Sequence, residues 1–206
     1  MQIWSFDMIE SEKNKLLERN NEYLSIGITE GGQARDITHV PWERTAHAFN
    51  MKVPSVYLSP EDLSDEEILK KLHGYRVIGC YIYTPLENYD FLKTFPEIRD
   101  LYIERAEGLA DISFISALPD CDMLFLEGAR LKNLDALVEA KKAKHGIFGS
   151  LRCLGLCDCR IEDVRSLSEV SFSEFIVWST NEKERYESVS ASTKRYYEID
   201  NERNDE

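Results

Sequence analysis

Positive charge is scarce in this sequence: 25 Lys and Arg stand against 38 Asp and Glu, a formal net charge of -13 over 206 residues. That balance argues against a nucleic-acid backbone or an anionic membrane as the main partner, since both reward basic patches. Long apolar runs are absent too, and nothing approaches the ~18 residues of a membrane-spanning helix. Met1 to Phe6 carries no positive charge, and Asp7, Glu10 and Glu12 break any apolar stretch after it. A secretion signal is therefore not expected. The 5 cysteines are an odd number, which points to reduced thiols and a cytoplasmic location. Nor does the chain carry a Gly-x-Ser-x-Gly elbow, a phosphate-binding loop, a GxGxxG turn or an HExxH pair. Its histidines, at 39, 47, 73 and 145, show no paired spacing.

What is present is a repeated frame: apolar, two of any kind, apolar, one of any kind, apolar. It reads Val53-Pro-Ser-Val56-Tyr-Leu58, Tyr75-Arg-Val-Ile78-Gly-Cys80, Ile98-Arg-Asp-Leu101-Tyr-Ile103, Cys121-Asp-Met-Leu124-Phe-Leu126, Leu151-Arg-Cys-Leu154-Gly-Leu156 and Phe172-Ser-Glu-Phe175-Ile-Val177. Further apolar residues follow each frame at helical intervals, as in Leu131, Leu134 and Leu137, or Ile161, Val164 and Leu167. Each unit buries its apolar face only by stacking on its neighbours, so the pattern predicts a strand, a turn and a short helical return per unit. The longest step, between Leu124 and Leu154, holds the basic run Ala140-Lys-Lys-Ala-Lys-His-Gly146, which reads as an insertion. Ser59-Pro60-Glu61-Asp62 and Ser64-Asp65-Glu66-Glu67 read as helix starts, with polar caps and acids at the positive dipole end. His73-Gly74 reads as the end of that helix.

The frame resembles the leucine-rich repeat family, with its L-x-x-L-x-L-x-x-N/C-x-L pattern, over roughly residues 53 to 180. The family's Asn/Cys turn position is Cys159 in one unit but Ala106, Ala129 and Tyr83 in others. The resemblance implies an α/β leucine-rich-repeat-like solenoid of about six strand-turn-helix units. Residues 1-52 then form an N-terminal α/β capping region, with a helix over Asp7 to Asn20 and a strand over Tyr23 to Ile28. Residues 181-206 form a charged C-terminal cap or tail, with a capping helix over Glu182 to Tyr197. The family mainly serves binding, so the resemblance also implies a non-enzymatic protein-protein interaction module that uses its concave strand face.

Residues between the frame positions point out of that face. One column is Ser55, Val77, Asp100, Met123, Cys153 and Glu174, and the next is Tyr57, Gly79, Tyr102, Phe125, Gly155 and Ile176. The third is Ser59, Tyr81, Glu104, Glu127, Cys157 and Trp178. Aromatics beside acids suit a binding hot spot, which nominates Tyr57, Tyr81, Asp100, Tyr102, Glu104, Phe125, Glu127 and Trp178. The acidic balance favours a basic protein partner, as for an inhibitor or immunity-type protein. Cys153, Cys157 and Cys159 look like a metal set, but four residues of strand separate the first two by ~13 Å and Cys159 turns inward. No catalytic residue, metal or cofactor is expected. The alternative is an enzyme with its site between the N-terminal region and the first repeats, built on His39, Glu43 and His47.

Overall fold

The structure, a computed structural model, describes residues 3–5, 23–34, 53–143 and 151–198. Strands β1 (Ile3–Ser5), β2 (Tyr23–Ile28), β3 (Ser55–Leu58), β4 (Arg76–Ile82), β5 (Asp100–Ile103) and β6 (Met123–Glu127) belong to one sheet. After β6 come β7 (Arg130–Asn133), β8 (Cys153–Cys157), β9 (Arg160–Asp163), β10 (Ser171–Trp178) and β11 (Ser190–Tyr197). The main sheet has 9 strands in the order β1-β3-β2-β4-β5-β6-β8-β10-β11, and β7 pairs with β9 in a second, small one. Every pairing is parallel. Two α-helices occur among the described residues, α1 (Glu66–Leu72) and α2 (Asp135–Ala143).

This is an open α/β parallel sheet, and it corrects the leucine-rich-repeat-like solenoid expected from the frame. A repeat stack needs successive units to be neighbours, yet β2 lies between β3 and β4, and β1 lies beyond β3. The Tyr23–Ile28 strand forms as expected but pairs inside the sheet, against Ser55–Leu58 on one side and Arg76–Ile82 on the other. Most connections are short 3₁₀ turns, such as Asp90–Thr94, Ser113–Ala117 and Arg165–Glu169. The capping helix expected over Glu182 to Tyr197 is instead a 3₁₀ turn ending at Tyr186 followed by β11. Pairing with β10 satisfies the backbone groups that an uncovered β10 edge would leave to water.

Local chemistry explains the first helix. The Asp65 side chain accepts from the backbone N–H groups of Glu67 and Ile68, so Asp65 rather than Ser64 caps α1. Acids Glu66 and Glu67 open the helix and Lys70 and Lys71 close it, both matching the macrodipole. His73 stands at the C-cap and stacks on Phe95 at 5.2 Å. Of the basic insertion, α2 takes the chain to Ala143 with Lys141 and Lys142 in its last turn. The rest of that insertion lies outside the described residues.

One face of the sheet carries the main core, where Ile26, Cys80, Leu101, Leu124, Leu154 and Phe175 lie side by side and fully buried. Each large side chain there contributes roughly 1.5–3 kcal/mol. The expected register of the second unit is off by two residues, because Cys80 and not Ile78 pairs with Leu101. Arg76 to Ile82 is apolar on both faces, so period-2 alternation cannot choose between them. The pairing of β4 with β2 also shifts by one residue, with Ile78 of β4 skipped between Leu24↔Val77 and Ser25↔Gly79.

Candidate functional site

The opposite face of the sheet carries a second apolar cluster of Val53, Tyr57, Ile78, Tyr81, Tyr83, Tyr102, Met123, Phe125, Cys153 and Ile176. Register builds its centre. Tyr57, Gly27, Tyr81, Tyr102, Phe125, Gly155 and Ile176 form one row across seven strands. Tyr81 therefore belongs to this row, not to the row of Glu104. The rings need space, and the glycines supply it. A Cβ at Gly27 would sit 2.6 Å from the Tyr57 ring, and one at Gly155 would sit 2.0 Å from that of Phe125.

Five of the eight nominated residues are consequently not surface groups. Tyr57, Tyr81, Asp100, Tyr102 and Phe125 are buried, with Asp100 at 0% and Phe125 at 2% exposure. The expected outward strip is corrected to a packed layer, because rings spaced one strand apart tilt onto one another. Tyr83 meets Tyr102 at 5.8 Å, Tyr102 meets Phe125 at 5.8 Å, and Phe125 meets Trp178 edge-on at 5.1 Å.

The remaining three, Glu104, Glu127 and Trp178, are half-buried and stand where the strands end. Ile103 pairs with Leu126, which sets Glu104 beside Glu127 as the sequence predicts. The Tyr102 hydroxyl donates to Glu127 Oε2 at 3.0 Å and stands 3.5 Å from Glu104 Oε2. Glu127 pairs in register with Cys157, and Cys157 with Trp178. Trp178 in turn stacks on Tyr197 of β11 at 4.7 Å. The rim thus runs from two carboxylates, across a small half-buried thiol, to a stacked aromatic pair. Just past it, Arg105, Gly128 and Asp158 occupy equivalent register positions and share left-handed φ values of 54°, 75° and 47°. In a parallel sheet the carboxyl ends of the strands are the usual place for a ligand.

Electrostatics follow from this packing. Burial and then the charge of Glu127 push the Tyr102 hydroxyl far above its ordinary range. Burial, then Asp100, does the same for Tyr81. The Tyr102 hydroxyl serves as a hydrogen-bond donor, and neither hydroxyl is an acid-base group near neutral pH. Burial also pushes the Cys159 thiol up to about 12, and its Sγ lies 3.3 Å from both the Leu126 and Cys157 carbonyls. Cys159 is a turn residue, as the frame predicts. Cys153 and Cys157 diverge from it, with Cys153 Sγ 3.9 Å from Glu174 Oε2. Glu174 itself pairs with Arg195 at 2.9 Å.

Sequence reasoning missed Tyr83 and Tyr197. The register slip in β4 hid the first, and the second fell in a segment expected to be helical. His39, Glu43 and His47, the basis of the enzyme alternative, lie outside the described residues. So do the helix expected over Asp7 to Asn20 and the last residues of the tail. Elsewhere, a shallow pocket of about 200 Å³ lies between Glu87–Lys93 and Gly108–Phe114, walled by Tyr89 and Phe114. Among the described residues no helix is long and apolar enough to cross a membrane. The chain matches no protein-family model and no curated protein sequence.

Proposed function

We propose that this chain is a non-enzymatic protein-interaction module that binds a basic protein partner through the rim where its strands end. The observation that carries this reading is the Glu104–Glu127 pair, held by the Tyr102 hydroxyl beside the Trp178–Tyr197 stack. Two adjacent, half-exposed carboxylates present acceptors to an Arg or Lys side chain, and the half-buried Trp178–Tyr197 stack offers its stem an apolar surface. The formal net charge of -13 steers a basic partner toward the molecule at long range. Tyr57, Tyr81 and Phe125 support the rim from behind and do not touch the partner. An inhibitor of a basic enzyme or toxin would work in this way, capping a cationic site by charge complementarity.

The test is capture from a native lysate on immobilised wild type and on a Glu104→Gln/Glu127→Gln/Trp178→Ala variant. The expected result is a basic protein retained by wild type at low salt, lost with rising salt, and not retained by the variant. Equal retention by both rules the rim out, and salt-insensitive retention rules the electrostatic version out.

A further inference from the structure

The two edges of the sheet are built differently. At one end β1 is only 3 residues long, the usual way of blunting an edge. At the other end β11 runs for 8 residues, Ser190–Tyr197, and no strand lies beyond it among the described residues. Its register with β10 is constant from Ser171↔Ser190 to Trp178↔Tyr197, with no bulge to twist the edge away. It holds neither Pro nor Gly, and Ser190, Ser192, Thr193 and Arg195 are exposed.

Hydrogen bonding in β10 fixes which backbone groups of β11 face outward. Glu174 N–H donates to Arg152 O at 3.0 Å, and Trp178 O accepts from Asp158 N–H at 3.2 Å. Glu174 and Trp178 therefore spend their backbone groups on β8, and Phe175 and Val177 spend theirs on β11. By the same alternation Thr193, Arg195 and Tyr197 bond back to β10. Ser192, Lys194 and Tyr196 turn their N–H and C=O groups away from the sheet.

The charges within this strand are opposite in sign to that of the chain, with Glu187 and Glu198 flanking it. Lys194 and Arg195 are the only charged residues of β11, and both are basic. They lie on opposite faces of the strand, Lys194 donating to Glu187 O at 2.7 Å and Arg195 paired with Glu174. Lys183 adds a third cation beside the strand, 5.6 Å from the centre of the Tyr196 ring. A second copy of this edge would set the same cations against one another, which disfavours self-pairing. An added strand with two consecutive acids would place one beside Lys194 and the next beside Arg195.

We propose that β11 is a strand-addition site for an extended, acidic segment of a partner protein, adjoining at Tyr197 the rim that takes a basic one. Main-chain hydrogen bonds to Ser192, Lys194 and Tyr196 supply the affinity, and the two cations supply the selectivity. The probe is a short synthetic peptide of Val and Thr around a central Asp-Glu pair, with a Lys-Arg counterpart as control. In the full-length chain alone, the amides of Ser192, Lys194 and Tyr196 should exchange fast and those of Thr193, Arg195 and Tyr197 slowly. The Asp-Glu peptide should slow the outer three. Lys194→Pro removes the outward N–H together with the side-chain cation and should weaken that peptide by about tenfold or more, without disturbing cooperative unfolding. Lys194→Glu keeps every backbone donor and should shift preference to the Lys-Arg peptide. The proposal is overturned by outer amides already protected in the chain alone, by unchanged peptide affinity in both variants, or by a dimer in sedimentation that Lys194→Pro abolishes.

Discussion

The ring of Phe125 lies directly over Gly155 on the neighbouring strand, so that a Cβ there would meet its Cε2 at 2.0 Å. One glycine thereby sets the tilt of Phe125, and through it the edge-on contact with Trp178 at 5.1 Å. Gly155→Ala should destabilise the chain by about 1–3 kcal/mol through overpacking, read from urea unfolding. Pairing it with Phe125→Leu should recover part of that loss, since the smaller side chain frees the space. Additive losses in the double variant would show that the two positions are not coupled.

The equivalent left-handed residues after β5 and β6 make a second, opposed pair of expectations. Arg105 holds φ at 54°, a conformation costly for a side chain with Cβ. Arg105→Gly should therefore stabilise the fold by up to ~1 kcal/mol, and Gly128→Ala should destabilise it by a similar or larger amount. Thermal unfolding of both variants checks this. Opposite signs are required, and two losses would refute the strain argument.

Alkaline pH should unfold this protein early. Tyr81 and Tyr102 are held above their ordinary 10.0, and Cys159 rises from 9.0 to about 12. In each case the folded chain keeps a proton that the unfolded chain gives up. Their contribution is thus whole below about pH 9 and falls away as pH rises through the ordinary values of these groups. The urea midpoint should decline from about pH 9 upward, and Tyr102→Phe should make that decline shallower. A midpoint flat to about pH 11 would contradict the burial of these groups in their protonated form.

How far the sequence foretold this arrangement depended on the range of the interactions involved. Leu101, Leu124, Leu154 and Phe175 sit in one inward row because a strand alternates every second residue, and that period is visible locally. Cys159 falls on the Asn/Cys turn position of the repeat pattern that the frame resembles, and it lies in the turn between β8 and β9. The place of β2 between β3 and β4 was not, because strand order is decided by contacts far apart in sequence. Burial of Tyr57, Tyr102 and Phe125 was hidden as well. Their spacing says which face they occupy, and whether that face is covered depends on packing from outside the strand. Glu104 and Glu127 were correctly brought together, since both follow the same frame position. Tyr197 escaped because Ser190 to Tyr197 has no strong alternation of its own and becomes a strand by pairing with β10.

The most direct test of the rim as a binding surface is a hydrogen-exchange footprint of the captured partner on this chain. Added protection should concentrate in the residues following β5, β6, β8 and β10, around Glu104, Glu127, Asp158 and Trp178, and should vanish in the Glu104→Gln/Glu127→Gln/Trp178→Ala variant. Protection confined to the turns around Tyr89 and Phe114, with the strand ends unchanged, would contradict it.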